Sequence, residues 1–120
     1  MNTPILVVDD EAPTRELLAL FFRTKGLEVI TANTAHDAKK LAATTRFSLA
    51  ILDVALEGED GLELLSYFRA NHPTVRVIIF TGLTDQDLVD KAMAGGASGF
   101  MNKCDPLESL FGTVSRFLPQ

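Results

Sequence analysis

The chain contains a single cysteine, two histidines, no cluster of lysine or arginine and no apolar run long enough to cross a bilayer. The lone Cys104 excludes an internal disulfide and fits a reducing compartment. His36 and His72 stand at no metal-ligand spacing from it, so a structural zinc site is not expected, and both histidines read as surface residues. A net charge of -5 without a basic patch argues against direct contact with nucleic acid or an anionic membrane. A phosphate-bearing partner would have to be handled locally, through a metal. The N-terminus lacks a basic start, and its apolar run is far too short for a signal peptide or a membrane span, which makes the cytoplasm the expected location.

What is present is a regular alternation. At 120 residues and 47% hydrophobic content, the chain suffices for one compact domain, residues 1–120, and is too short for two. Apolar or β-branched runs fall at Ile5 to Val8, Glu28 to Ala32, Leu49 to Leu52, Val75 to Phe80 and Gly99 to Met101, which predicts five short strands. Helix-length segments lie between and after them: Pro13 to Lys25 closed by Gly26, Thr34 to Thr44, Leu62 to Asn71, Asp85 to Ala94 before Gly95-Gly96, and Pro106 to Leu118. Thr34 and Asp105 suit N-caps, and Pro13 and Pro106 suit the first turn of a helix. Strands that are apolar throughout are covered on both faces, so the expected fold class is α/β, a doubly wound parallel sheet. In the last helix, Leu107, Leu110, Phe111, Val114 and Phe117 form a stripe that should dock on that sheet.

The first and third apolar runs both end in acids: Asp9-Asp10 after Val8, and Asp53 after Leu52. Ligands of an open parallel sheet bind beyond the carboxyl ends of the strands, at the point where the strand order reverses. With the flavodoxin-like order 2-1-3-4-5, that point lies between strands one and three, where the three acids are delivered. Three carboxylates so close raise the pKa of at least one unless a cation intervenes, and oxygen ligands alone favour a hard ion, Mg²⁺ above others. The fourth strand delivers Thr81 and the fifth delivers Lys103 to the same rim.

These segments, VVDDE at Val7 to Glu11, LDVALEGEDG at Leu52 to Gly61, Thr81-Gly82 and GASGFMNK at Gly96 to Lys103, together resemble a response-regulator receiver domain over nearly the whole chain. The resemblance implies Mg²⁺-dependent phosphoryl transfer from a sensor histidine kinase or a histidine phosphotransfer protein to Asp53. It implies that Asp10 and Asp53 bind the metal directly, Asp9 through water, and Ala55 through its backbone carbonyl. Thr81 and Lys103 would contact the phosphoryl oxygens, and Lys103 as a compact point charge suits that role. It further implies a switch in which Thr81 moves inward and Phe100 fills the space vacated. The surface read by a downstream effector or output domain would then be that of the fourth helix, fifth strand and fifth helix, with Leu83, Leu88, Met93 and Met101 as candidates. The sequence leaves open whether two copies pair, and whether the chain stands alone or was excised from a longer protein.

Three departures from the family pattern stand out. Cys104 follows the lysine where proline is usual, so a trans bond and a locally different loop are expected, because a cis bond before a residue other than proline costs about 2.5–4 kcal/mol. Glu57, Glu59 and Asp60 make the loop after Asp53 acidic. Ala55 and Leu83 are apolar at positions that influence how water reaches a phosphorylated aspartate, which implies slow self-dephosphorylation. Two rival functions are a haloacid dehalogenase-type phosphatase, which wants Asp-x-Asp where this chain has Glu11 in the second position, and a receiver-like module that binds partners without phosphorylation.

Overall fold

A computed structural model describes residues 3–56, 58, 60–82 and 85–118. Strands and helices alternate: β1 (Ile5–Val8), α1 (Ala12–Thr24), β2 (Val29–Ala32), α2 (Ala35–Thr44), β3 (Leu49–Leu52), α3 (Gly61–Asn71), β4 (Arg76–Thr81), α4 (Gln86–Ala94), β5 (Gly99–Asn102) and α5 (Leu107–Phe117). All strand pairs are parallel, in the order β2-β1-β3-β4-β5. This is the doubly wound, flavodoxin-like sheet that the acid-ended runs required.

Successive side chains leave a strand on opposite faces, and the core divides accordingly. Leu6, Val8, Ala50, Leu52, Val77 and Ile79 pack with α2, α3 and α4, against Ala38, Leu64, Phe68 and Ala92. Ile5, Val7, Leu49, Ile51, Ile78 and Phe80 pack with α1 and α5, against Leu18, Phe22, Leu110 and Val114. Phe22 and Phe68 are fully buried, one in each layer. Each such side chain stabilises the fold by roughly 1.5–3 kcal/mol relative to exposure. The last helix docks through the stripe read from its sequence, with Leu110 and Val114 buried and Leu107, Phe111 and Phe117 partly so.

Most helix ends follow side-chain chemistry. The Thr34 side chain accepts the Asp37 N–H (3.0 Å), that of Asp60 accepts the Leu62 N–H (2.9 Å) and that of Asp85 accepts the Asp87 N–H (3.1 Å). Pro13 lies in the first turn of α1, and that helix stops where Gly26 adopts φ +83°. Asp105 does not cap α5. Its carboxylate instead accepts the Asn102 N–H (3.1 Å), and Pro106 holds the cap position without a side-chain bond, so α5 starts at Leu107. β4 also begins one residue later than its apolar run, because the Val75 N–H is taken by the His72 carbonyl (3.0 Å) and pairing with β3 starts at Arg76. His72 is half-buried at the surface against Tyr67 and Phe68, with ring centroids 5.5 and 5.7 Å away, and His36 is exposed.

Candidate functional site

The hydrogen-bond ladder continues one residue past β1 and β3, and this fixes the two acids that matter most. The Asp9 N–H donates to the Ala32 carbonyl (3.2 Å), and the Asp53 N–H donates to the Val8 carbonyl (3.0 Å). Each carboxylate then folds back on its own turn. Asp9 Oδ1 accepts the Glu11 N–H and Asp53 Oδ1 accepts the Ala55 N–H, both at 2.9 Å, the Asx-turn chemistry that aspartate favours after a strand. The second oxygens converge on one ammonium: Lys103 Nζ lies 2.8 Å from Asp9 Oδ2 and 2.7 Å from Asp53 Oδ2. Lys103 reaches this point because its backbone N–H extends the β4–β5 ladder onto the Thr81 carbonyl (2.9 Å).

Burial pushes the Asp9 pKa up, since the charged form loses solvation; the Lys103 hydrogen bond, the Glu11 N–H and the lysine charge pull it back, while the Asp53 charge adds to the rise. The net direction is upward. Burial alone would lower the Lys103 pKa, but its hydrogen bonds to Asp53, Asp9 and Glu11 outweigh that and carry it above the ordinary lysine range. Lys103 is therefore held as the ammonium. The crowding of acids expected from the sequence is relieved by a cation that the chain itself supplies.

Asp10, Glu11, Asp53, Ala55, Thr81 and Lys103 share the wall of a cavity of about 390 Å³. Carboxylate oxygens of Asp9, Asp10, Glu11 and Asp53 all lie within 4.8 Å of one another. Thr81 is fully buried, while Phe100 is half-buried and packs on the α2–α3–α4 side of the sheet. The register pairs Ile79 with Phe100 and Thr81 with Asn102, so Thr81 and Phe100 face the same side, one diagonal step apart on neighbouring strands. Every site residue expected from the sequence is thus at this rim or beside it.

Three contributors were missed. Glu11 closes the cluster, its Oε1 3.0 Å from Lys103 Nζ; the third acid in Asp9-Asp10-Glu11 was the available signal. Arg15, one turn into α1, donates from its guanidinium to the Asp9 carbonyl (2.8 Å). Gly61 lets α3 start directly against the Asp53–Val54 backbone, with its N–H donating to the Val54 carbonyl (3.3 Å). A glycine before a leucine-rich helix signals a helix start, but nothing in the sequence says what it touches.

The loop after Lys103 has an ordered substitute for the usual proline. Asn102 Oδ1 accepts the Cys104 N–H (2.7 Å), the Asn102 carbonyl accepts the Asp105 N–H (2.9 Å), and the described peptide bonds are all trans. Cys104 is a free, exposed thiol. On the expected readout surface Met93 is 46% exposed, whereas Leu88 and Met101 are half-buried against opposite core layers. Leu83, Glu57 and Glu59 lie outside the described residues.

A family model described as response regulator receiver domain matches residues 5–115. The chain is 29% identical over 119 residues to sporulation initiation phosphotransferase F of Bacillus subtilis, covering 99% of the chain and 96% of that protein. It is 31% identical over 106 residues to a cyclic di-GMP phosphodiesterase of Thermotoga maritima, covering 88% of the chain but only 28% of that protein. Among solved structures, response regulator protein TrrA from Thermotoga maritima in complex with Mg²⁺-BeF superposes with a TM-score of 0.88 at 29% identity, over 97% of this chain and 99% of that one.

Proposed function

The chain belongs to the response regulator receiver domain family, and from that premise we propose that it acts as one receiver domain, residues 1–120, which takes a phosphoryl group onto Asp53 from a phosphohistidine. The carrying observation is the placement of Lys103 Nζ between Asp9 Oδ2 and Asp53 Oδ2, at the rim of a cavity that Thr81 also lines. With Oδ1 held by the Ala55 N–H, Asp53 presents Oδ2 as the nucleophile. Attack forms an oxygen–phosphorus bond and breaks the nitrogen–phosphorus bond of the donor, whose imidazole leaves and takes up a proton. Lys103 then passes from the attacking oxygen to the phosphoryl oxygens without leaving the cluster.

The donor set fits Mg²⁺: carboxylate oxygens without nitrogen or sulfur, closely spaced around a position that already holds a cationic ammonium. Asp10 and Asp53 would ligate it directly, Asp9 through water and Ala55 through its carbonyl. Mg²⁺, when bound, neutralises charge on the acids and the incoming phosphoryl oxygens. Thr81 and Lys103 hold the transferred group, and Phe100, on the same sheet face as Thr81, follows the threonine as it moves inward. That shift alters the α4–β5–α5 surface for an effector or output domain. The donor is a sensor histidine kinase or a phosphotransfer protein, and the setting is the cytoplasm. No described helix is long and apolar enough to cross a membrane. The Ala55 side chain, apolar and exposed at the rim, offers no hydrogen bond to an attacking water, and the phosphorylated form decays slowly; Ala55→Asn accelerates the decay.

Intact-mass measurement after incubation with Mg²⁺ and acetyl phosphate tests this reading. A single phosphoryl adduct that Asp53→Asn abolishes is the expected result. A chain that takes no adduct while binding its partners would be a phosphorylation-independent module, and turnover of many phosphoesters would make it a phosphatase.

A further inference from the structure

At the opposite end of the sheet from the acids, residues between α2 and β3, at the start of β4 and at the end of α5 line an open cavity of about 720 Å³. Its wall includes Arg46, Arg76, Arg116, Ser48, Phe117 and Leu118. We propose that this cavity binds a small phosphorylated organic anion that carries a planar or apolar portion.

The chain's arginines divide into two groups. Arg15, Arg23 and Arg69 each donate to a backbone carbonyl, of Asp9, Val29 and Val75 respectively, and so stitch helices to the sheet. The side chains of Arg46, Arg76 and Arg116, all exposed, form no ion pair and no hydrogen bond with the described residues; only Arg116 has a side-chain partner, the Phe117 ring 5.7 Å from its guanidinium carbon. All three line this one cavity. In a chain with net charge -5, three uncommitted guanidinium groups around one hollow are a local inversion of sign.

A second observation is independent of charge. Ser48 Oγ is the one buried side-chain polar atom among the described residues with no hydrogen-bond partner, and Ser48 lines the same cavity. Buried hydroxyls are nearly always satisfied, and rotation of the Ser48 side chain toward the hollow would give this one an acceptor on a bound ligand. Guanidinium forks match phosphate oxygens bidentately, Phe117 and Leu118 supply an apolar wall, and the volume falls within the roughly 300–1,000 Å³ usual for small-molecule sites. The acid cluster does not repel such a ligand strongly. Ser48 and Asp53 stand at the two ends of β3, about 16 Å apart at strand spacing, against a screening length of about 8 Å at physiological salt.

The test is an amide chemical-shift titration of the whole chain with ATP, without divalent cations and at constant ionic strength. Shifts are expected at Arg46, Ser48, Arg76 and Arg116 and not at Asp9 to Glu11. Pyrophosphate should bind the same residues more weakly, and adenosine should not bind. Arg76→Ala should weaken ATP binding about tenfold, and Arg76→Lys, which keeps the charge but loses the fork, should fall between. The same spectra report whether each variant is folded. No saturable shifts at millimolar ATP would overturn the proposal. So would shifts spread over the surface, or shifts unchanged in Arg46→Ala, Arg76→Ala and Arg116→Ala.

Discussion

Gly61→Ala sets two physical effects against each other at the site. Gly61 does not have a positive φ, so alanine there is conformationally acceptable. Less freedom in the unfolded chain would then stabilise the protein by about 0.4–1 kcal/mol. The added Cβ, however, would lie 2.5 Å from the Asp53 carbonyl oxygen and closer still to Val54 Cα. That is roughly 1 Å short of the separation at which carbon atoms attract, and both opposing atoms are backbone, with no side chain to swing aside. Overpacking of this kind costs about 1–3 kcal/mol. Sterics win, with a net loss of roughly 1–2 kcal/mol and a fall in melting temperature of about 4–8 °C for a chain of this size. Relief requires α3 or the Asp53–Val54 backbone to retreat, and a displacement near 1 Å at a reacting carboxylate slows chemistry by up to about 100-fold. Urea unfolding gives the stability, and the initial rate of labelling by acetyl phosphate gives the chemistry. Gly112→Ala is the internal control: it lies within α5, a Cβ there meets nothing within 4 Å, and the substitution should stabilise by about 0.5–1 kcal/mol. A Gly61→Ala protein as stable as its parent and labelled at the same rate would refute the steric argument.

Asp9→Asn should stabilise the chain at neutral pH. A carboxyl whose folded-state pKa is raised takes up its proton in the folded state before the unfolded one, so ionised Asp9 weakens folding above that pKa, and the gain from asparagine fades as pH falls into the ordinary aspartate range. Urea unfolding at a series of pH values reads this directly, and a gain that grows on acidification would contradict it. Lys103, whose pKa is raised, contributes stability that is complete below the ordinary lysine pKa and is lost only as pH rises beyond it, so Lys103→Met should erase any alkaline decline attributable to that group. Leu17 and Leu20, 53% and 64% exposed on the helix that follows the acids, are the apolar surface against which a protein donor is expected to rest. Leu17→Glu with Leu20→Glu should slow phosphoryl transfer from a phosphohistidine protein while leaving labelling by acetyl phosphate unchanged.

The frame was legible because each strand is short, apolar and closed by a polar residue or a turn, and because periodicity changed cleanly from strand to helix. The site was legible because its residues sit at strand ends, where order along the chain maps directly onto order along a rim. Asp105 was misjudged because an aspartate before proline has the composition of an N-cap, and only the fold reveals that Asn102 supplies a competing backbone N–H at 3.1 Å. The ring contacts of His72 were not read, although as the C-cap of α3 it stands one helical turn from Phe68. The convergence of Asp9, Glu11 and Asp53 on Lys103 joins residues up to 94 positions apart in the chain, between Asp9 and Lys103, and rests on angles that no spacing rule contains.

The sheet is covered on both faces, and among the described residues its two core layers share no side chain. It works as a bulkhead. Helix α1 packs in one compartment through Leu18, Ala19 and Phe22, while Thr81, Phe100 and α4 belong to the other. A contact made on α1 therefore leaves α3 and α4 unencumbered, and repacking beneath α4 need not disturb it. Mutations chosen one from each compartment should add in their effects on stability, whereas pairs within a compartment should not. Only α5 and Met101, which share the α1 layer, tie the two compartments' outer surfaces together.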